Sequence, residues 1–172
     1  LRVLFARIGL PHCPDCKIVV REESPQTVTR LVMSHYVGRD ITWAAPLAIE
    51  RKGEFTQQLL TLFEKGFHRY KIDGTVHRFE SREDIESLRL TKTHRHSIDV
   101  ILDRFTVVED ERVRAQEAIE KAFALTQGFC KISYLDSEGV EQVELYAANR
   151  ICIGCGRSFP ELEPRLFSFN SP

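Results

Sequence analysis

Two Cys-x-x-Cys pairs, one near each end of the chain, restrict the possible folds more than any other feature of the sequence. The first pair is Cys13 and Cys16, the second is Cys152 and Cys155, and about 135 residues separate the two pairs. A tight turn at each pair directs two thiolates toward one point, and four thiolates at about 2.3 Å complete a closed tetrahedral zinc site. If the pairs share one ion, the chain between them must leave and return at the same place.

The cysteines also allow other interpretations. Each pair can take its remaining ligands from residues outside this chain, because a self-contained zinc ribbon usually keeps its pairs within about 20 residues of each other. A redox dithiol is disfavoured because no clear βαβ unit surrounds either pair, and disulfides are disfavoured in a reducing compartment. We favour a shared structural zinc. Cys130, in an apolar stretch, is predicted to be a buried small hydrophobic residue.

The composition is that of an ordinary globular chain. Its 172 residues are 42% hydrophobic and 28% charged, and the formal net charge is −1. This balance gives no general cationic field, so any contact with nucleic acid has to be local. No apolar run approaches the roughly 20 residues of a membrane span, and the first residues do not resemble a signal peptide. We expect a cytoplasmic location, and the two ends of the chain indicate a piece of a larger protein.

The predicted elements come in a mixed order. Periodicity and turn residues predict helices over 1–8, 25–36, 54–66 and 109–128, strands over 41–49 and 97–108, and hairpins over 67–79 and 129–147. Pro46 inside a strand indicates a sheet edge or a bulge. Residues 81–96 are polar and are predicted to be a solvated connection. Hairpins require antiparallel pairing, so we expect an α+β fold with a mixed, largely antiparallel sheet and packed helices.

The sequence carries no recognisable catalytic motif. It contains no phosphate-binding Gly-Lys-Ser/Thr loop, no dinucleotide fingerprint, no His-Glu-x-x-His and no nucleophile elbow. His94 and His96 lie in a charged stretch and are predicted to be solvated side chains, not ligands. Glu141 and Glu144 are predicted to lie on the exposed face of a hairpin strand. We therefore expect that the chain alone is not an enzyme.

Several strings of residues together resemble the UvrA family, whose members are damage-sensing ATPase subunits of the bacterial excinuclease ABC. The resemblance covers the whole chain and rests on the opening residues 1–16, the closing residues 152–172, and the interior strings Ala45-Pro46, Arg51 to Glu54, Asp73-Gly74 and His96 to Arg104. In that family, the segment is inserted in the first ATP-binding half of the protein, and the ATP-binding loops lie outside the part that corresponds to residues 1–172.

The resemblance implies a domain organisation and a partner. Residues 1–16 would be a helix and first zinc knuckle belonging to the ATPase body. Residues 17–150 would be an inserted domain that docks UvrB, and residues 151–172 a second knuckle and the return to the body. The four paired cysteines would then share one structural Zn²⁺ at the neck of the insertion. Family members carry a further Cys-x-x-Cys shortly after the position of Pro172. In an alternative arrangement, Cys152 and Cys155 would share a zinc ion with that pair.

The resemblance also implies which residues contact UvrB. Arg69 and Arg104 match arginines that face the partner in the family. Guanidinium groups form bidentate pairs with carboxylates and are enriched at interface hot spots, so the assignment is chemically reasonable. Their neighbours Lys71 and Asp103 are expected to be rim charges that set orientation and association rate more than affinity.

Two other functions stay open from the sequence. A DNA-contacting module would use residues 92–96 and the Arg51-Lys52 pair, and its affinity for duplex DNA would depend on salt. If the chain is a purely structural zinc spacer, reversing the charges of Arg69 and Arg104 should leave UvrB binding unchanged.

Overall fold

The computed structural model describes residues 3–4 and 8–159. Its strands are β1 Asp40–Lys52, β2 Arg69–Ile72, β3 Thr75–Arg78, β4 Arg95–Thr106, β5 Phe129–Leu135 and β6 Glu141–Ala147. Its named helices are α1 Pro25–His35, α2 Thr56–Glu64, α3 Arg82–Glu86 and α4 Arg112–Thr126, and a 3₁₀ turn, Glu109–Glu111, leads into α4.

The six strands form one sheet in the order β3-β2-β4-β1-β5-β6. Every strand pairing within the described residues is antiparallel. Helices α1 and α4 pack together, and α4 lies against β1, β4 and β5. The α+β prediction and the largely antiparallel sheet are thus confirmed.

Local sequence signals account for the helix boundaries. The hydroxyl of Ser24 accepts a hydrogen bond from the Thr27 amide, and Pro25 occupies the first turn of α1, where a missing N–H has no consequence. The apolar face of α4 is small and buried, with Ala115, Ala118, Ile119 and Ala122 toward the sheet. Its C-terminal residues Gln127 and Gly128 both have positive φ, at 61° and 113°, and they end the helix.

Two turns fix the hairpins. Asp73 and Gly74 have φ of 48° and 85°, as a two-residue turn between twisted strands requires, so β2 and β3 pair in the predicted register. In the second hairpin, the carboxylate of Asp136 accepts hydrogen bonds from the amides of Glu138 and Val140, both at 2.9 Å. This side chain holds the turn between β5 and β6 in place.

Pro46 lies in the long strand β1. Of the two predicted positions, a sheet edge and a bulge, the structure shows the bulge. Strand β1 runs between β4 and β5, and its register against β4 shifts just after Pro46. Strand β5 pairs only with Thr42 to Ala44, so its pairing with β1 stops before Pro46. The missing N–H of proline therefore removes no hydrogen bond to β5.

The described residues form two hydrophobic cores. The main core fills the sheet–helix interface, and its largest fully buried side chains include Trp43 and Tyr70. The indole of Trp43 stacks on Phe105 with ring centroids 5.4 Å apart. A separate small cluster contains Cys13, Val20 and Cys152 near the two ends of the described chain.

Three predictions about polar residues were wrong. Residues 81–96 contain the short helix α3, closed by a capping box between Ser81 and Asp84. His96 is buried, because it pairs with Asp73 and packs edge-on against Phe55. Glu144 is half-buried, because its carboxylate accepts hydrogen bonds from two tyrosines, Tyr36 and Tyr146.

Two predicted segments fall partly or wholly outside the described residues. Of the helix predicted over 1–8, Val3, Leu4 and Ile8 are described and are helical. The return to the ATPase body predicted after the second knuckle lies beyond residue 159, outside the described part of the chain. None of the helices in the described residues combines the length and the apolar character needed to cross a membrane.

Candidate metal centre and partner-binding surface

The first cysteine pair lies on a small hairpin. The Cys13 amide donates to the carbonyl of Ile18 at 2.9 Å, and the Cys13 carbonyl accepts from the Lys17 amide at 2.9 Å. Lys17 turns the chain with a φ of 59°, a left-handed conformation that few residues other than glycine adopt. The turn brings Cys16 back beside Cys13, as one half of a metal site requires.

The second pair repeats this backbone pattern 139 positions further along the chain. The Cys152 amide donates to Arg157 and its carbonyl accepts from Gly156, both at 2.8 Å. Gly156 has a φ of 74° and stands where the first hairpin has its left-handed lysine. One isolated β-bridge closes each hairpin, His12 with Val19 and Ile151 with Ser158. The two knuckles are therefore copies of one structural unit.

The two knuckles face each other and bring the four thiols together. The four Sγ atoms lie within 4.8 Å of one another, and those of Cys13 and Cys155 are 3.6 Å apart. Sulfurs bound at about 2.3 Å to one tetrahedral ion are separated by roughly 3.8 Å, so the spacing fits a four-thiolate site. The predicted ligands Cys13, Cys16, Cys152 and Cys155 can thus hold one metal ion together.

Close packing between the knuckles supports this arrangement. A methyl group built on Gly154 would approach Ile18 Cδ1 to 2.8 Å and Cys16 Sγ to 3.2 Å, so a larger residue there would require these side chains to shift. The Arg157 guanidinium and the Asp15 carboxylate form an ion pair at 2.8 Å across the same contact. The contact therefore depends on shape as well as on the thiols.

The thiols of the first knuckle differ in acidity. A hydrogen bond from the Cys16 amide lowers the pKa of Cys13 to about 7, and this outweighs the effect of burial. A hydrogen bond with Cys155, followed by burial, raises the pKa of Cys16 to about 12. Thiols this close cannot all ionise together without a cation, which a bound metal ion would supply. Cys130 is buried as predicted, in the main core and away from this site, and burial raises its pKa to about 12.

The chain segments that lead from the knuckles to the sheet are joined to each other. Glu22 and Arg150 form an ion pair at 3.1 Å, and the Glu23 amide donates to the carbonyl of Ala147 at 3.0 Å. The chain therefore enters and leaves the sheet region side by side, as a shared metal site between distant cysteine pairs requires.

The predicted docking residues lie on β2 and β4. Arg69 is exposed, and its side chain forms no ion pair or hydrogen bond with any residue in the described part of the chain. Lys71 is half-buried, and its ammonium group is held by Glu141. The two side chains thus differ, because only the arginine has its charge available for a partner.

Asp103 and Arg104 are both engaged inside the chain. Asp103 accepts two hydrogen bonds from Arg114, at 2.7 and 2.8 Å. Burial alone would raise the pKa of Asp103, but Arg114 and the more distant Arg69 lower it. Arg104 donates to Asp40 at 2.7 and 2.9 Å, and the guanidinium remains mostly exposed. Arg69 and Asp103 therefore interact electrostatically, whereas the Arg104 side chain is engaged with Asp40.

A buried charged group was not recognised from the sequence. Asp99 on β4 is only 4% exposed, and its Oδ2 accepts from Lys131 Nζ at 2.6 Å, while its Oδ1 has no partner among the described residues. Lys71 and Glu141 lie close enough to affect its pKa. We call these four residues the charge cluster. Only the sheet order places Lys131 beside Asp99.

Further cations near Arg69 were also missed. Arg78 lies directly opposite Arg69 in the β2–β3 pairing, and Lys121 projects from α4 near the same place. The two-residue turn at Asp73-Gly74 fixes the hairpin register, so the position of Arg78 could have been predicted. The position of Lys121 depends on how α4 packs, which no local pattern specifies.

Comparisons with known proteins agree with these features. A family model described as the UvrA interaction domain matches residues 23–136. Proteins called UvrABC system protein A match along the whole chain, with identities of 39% in Aquifex aeolicus, 40% in Escherichia coli and 34% in Deinococcus radiodurans. The chain spans only 17 to 18% of the length of these relatives.

Proposed function

Because the chain belongs to the UvrA family, we propose that it is the part of a nucleotide excision repair protein that docks UvrB through a surface carrying Arg69 and Arg104. The observation that carries this proposal is the match to the UvrA interaction domain, which extends over the segment containing both arginines. Chains of this family would act in the cytoplasm, where the repair of bacterial DNA takes place.

The state of the two arginines supports a role in recognition. Arg69 has no ion pair among the described residues, so its charge is available without breaking an existing contact. Arg104 is oriented by Asp40, and a mostly exposed ion pair of this kind is worth little and is easily exchanged for a partner carboxylate. Arginines held in such positions are suited to bidentate pairing across an interface.

Asp103 and Lys71 have secondary roles in this proposal. Asp103 is fixed by Arg114 and lies close enough to Arg69 to interact with it electrostatically, so it orients the docking surface. Lys71 contributes a rim charge, because Glu141 already holds its ammonium group. We expect both residues to influence the association rate more than the affinity.

We further propose that one structural zinc ion clamps the neck of the interaction domain. Cys13, Cys16, Cys152 and Cys155 would hold it, and four thiolates favour zinc while leaving no site for a reacting water. Residues 1–16 and 151–172 would belong to the ATPase body and residues 17–150 to the inserted domain. The chain alone would then hydrolyse no ATP, because it would only carry the partner-binding part of the larger protein.

A contact with DNA is a second candidate, favoured by one observation. Lys52 lies directly opposite Arg95 at the end of β1, with Arg51 beside it, so three exposed cations meet near the knuckles. The residues 92–96 add less than the sequence indicates, because Lys92 is paired with Glu54 and His96 is buried. A DNA role predicts duplex binding that weakens steeply with salt and with Lys52→Glu.

The docking proposal is tested by titrating the chain with UvrB in a calorimeter. Arg69→Gln and Arg104→Gln should each lower the affinity by about tenfold or more, and the double variant should show no measurable binding. Lys52→Gln is the matched control, because it removes an exposed cation at the other end of the β1–β4 pair. If the wild-type chain does not bind UvrB, or if all three variants bind equally well, the chain is a spacer or a DNA module instead.

A further inference from the structure

A groove lies beside Arg69, and the docking residues proposed above leave its function unassigned. It has a volume of about 620 Å³ and lies between the start of β2, the middle of β4 and helix α4. Its cations are Arg69, Arg78 and Lys121, and its apolar side chains are Phe67, Ile101 and Leu102. We call this feature the cationic groove.

The charges of the cationic groove are not compensated within the described chain. Arg69 and Arg78 are directly opposite in the β2–β3 pairing, and like charges at opposed positions destabilise a sheet. The single ion pair of Arg78 is with Glu80 at 3.8 Å, and both side chains are at least 73% exposed. Such a pair contributes little. Lys121 makes no ion pair with a described residue, and Asp103, which interacts electrostatically with Arg69, is already held by Arg114.

The floor of the cationic groove is apolar and is built by an irregularity of β4. The register of β1 against β4 shifts between Trp43 and Ala44, and Leu102 is the extra residue at this bulge. A bulge redirects the side chain of the extra residue, and here Leu102 lines the groove beside Ile101. Phe67, Ile101 and Leu102 are each half-buried, so they present partly accessible apolar surface between the cations.

We infer that the cationic groove receives an acidic segment of the docked partner, with carboxylates on Arg69, Arg78 and Lys121 and an apolar side chain on the Leu102 floor. This inference rests on the proposed docking function and names the chemistry of its partner surface. An acidic peptide with an apolar anchor satisfies both the cations and the floor. A nucleic-acid backbone satisfies only the cations, and the nearby carboxylates of Glu80 and Asp103 would repel a continuous polyanion.

The opposed arginines make a second, independent readout available. In the free chain Arg69 and Arg78 repel each other, and a bound carboxylate removes this repulsion. Arg78→Gln should therefore raise the melting temperature of the free chain slightly while it weakens partner binding. A residue with a purely structural role would change stability and affinity in the same direction.

The test compares Arg78→Gln and Lys121→Gln with the control Lys52→Gln in titrations against UvrB at low and moderate salt. Each groove variant should bind at least about fivefold more weakly and show a smaller loss of affinity with salt, while the control binds like the wild type. Arg78→Gln and Lys121→Gln are also titrated with a duplex DNA, and both should behave like the wild-type chain there.

The outcomes separate this inference from the docking proposal. If Arg69→Gln weakens UvrB binding but Arg78→Gln and Lys121→Gln do not, the docking function stands and the groove inference is wrong. If the groove variants lose affinity for DNA and not for UvrB, the partner class is wrong. If the wild-type chain does not bind UvrB at all, both proposals fail.

Discussion

Single residues already show how this chain uses buried charge, and the imidazole of His96 is the clearest case. Its Nδ1 lies 2.7 Å from a carboxylate oxygen of Asp73, and its Nε2 lies 3.1 Å from the carbonyl oxygen of Thr91. Both neighbours are acceptors, so the arrangement favours the doubly protonated ring. The hydrogen bond with Asp73 raises the pKa of His96 above its usual 6.5, even though burial acts in the opposite direction. When it is protonated, the ring therefore ties the β2–β3 turn to the start of β4 through two donated hydrogen bonds.

This pair predicts a pH dependence of stability. The folded-state pKa of His96 is raised, so its contribution is fully present below about pH 6.5 and is lost as the pH rises through the folded value. Asp73→Asn keeps the left-handed turn and the hydrogen bond from the Ser97 amide. It should still lower the free energy of unfolding by about 1 kcal/mol near pH 6. Urea unfolding between pH 5.5 and 9, with buffers of ~0.1 M ionic strength, measures both effects.

The wild type should lose stability across that pH range, whereas Asp73→Asn should give a much flatter profile. Equal pH slopes in the two proteins would mean that His96 is neutral in the folded state.

Gly154 gives a second prediction at this scale. Its φ is not in the left-handed region, so only the close approach to Cys16 and Ile18 demands glycine. Gly154→Ala should push the knuckles apart by a few tenths of an ångström and lower zinc affinity by about tenfold or more. A chelator competition measures this affinity, with Ser158→Ala as the control in the same hairpin. Unchanged affinity in Gly154→Ala would show that Ile18 moves aside without separating the knuckles, and the predicted role of Gly154 would be wrong.

Elements are connected in this sheet by buried charges as well as by backbone pairing. Asp99 on β4 and Lys131 on β5 reach each other across β1, and burial raises the pKa of Asp99 despite the attraction of Lys131. Removing one member of a buried pair leaves an uncompensated charge, which destabilises more than removing both. The charge cluster thus fixes the relative position of strands that are not neighbours.

Lys131→Met should therefore destabilise the chain by about 3 kcal/mol, and Asp99→Asn/Lys131→Met should recover most of this loss. The measurement is the free energy of unfolding in urea for both variants and for Asp99→Asn alone. Lys121→Met is a suitable control, because that lysine lies on α4 and makes no ion pair with a described residue. A double variant as unstable as Lys131→Met would show that packing of the lysine stem, not charge pairing, is the main contribution.

The elements also show which features were predictable. Helix α1 and both hairpins were predicted because their signals are local: a cap at Ser24, the turn at Asp73-Gly74 and the Asp136 turn. The clustering of the four thiols was predicted because two Cys-x-x-Cys pairs at the chain ends admit few arrangements. Buried Asp99 and His96 were missed, because each is buried by partners from other elements that only the sheet order brings near.

At the scale of the whole molecule, the two hydrophobic cores stabilise two separate parts of the chain. The main core and the small cluster at the knuckles share no residue, and they are connected by the paired segments around Glu22 and Arg150. The knuckle cluster is too small to be stable alone, so we expect its folding to depend on the proposed zinc ion. The sheet, by contrast, has its own core and its own hairpins.

Zinc removal should therefore unfold the knuckles and leave the sheet intact. In hydrogen exchange, the amides of Lys17 and Gly156, which close the two knuckles, should lose protection together when a chelator is added. The paired strands β1 and β4 should keep their protection, because the main core does not include the knuckles.

Cys13→Ser should reproduce the chelated state in both knuckles, and Cys130→Ala should retain the ion. If Cys13→Ser exposes Lys17 but leaves Gly156 protected, each knuckle binds its own ion. If β1 and β4 also lose protection on chelation, the neck and the sheet fold as one unit, and the domain is fixed to the body by more than its zinc.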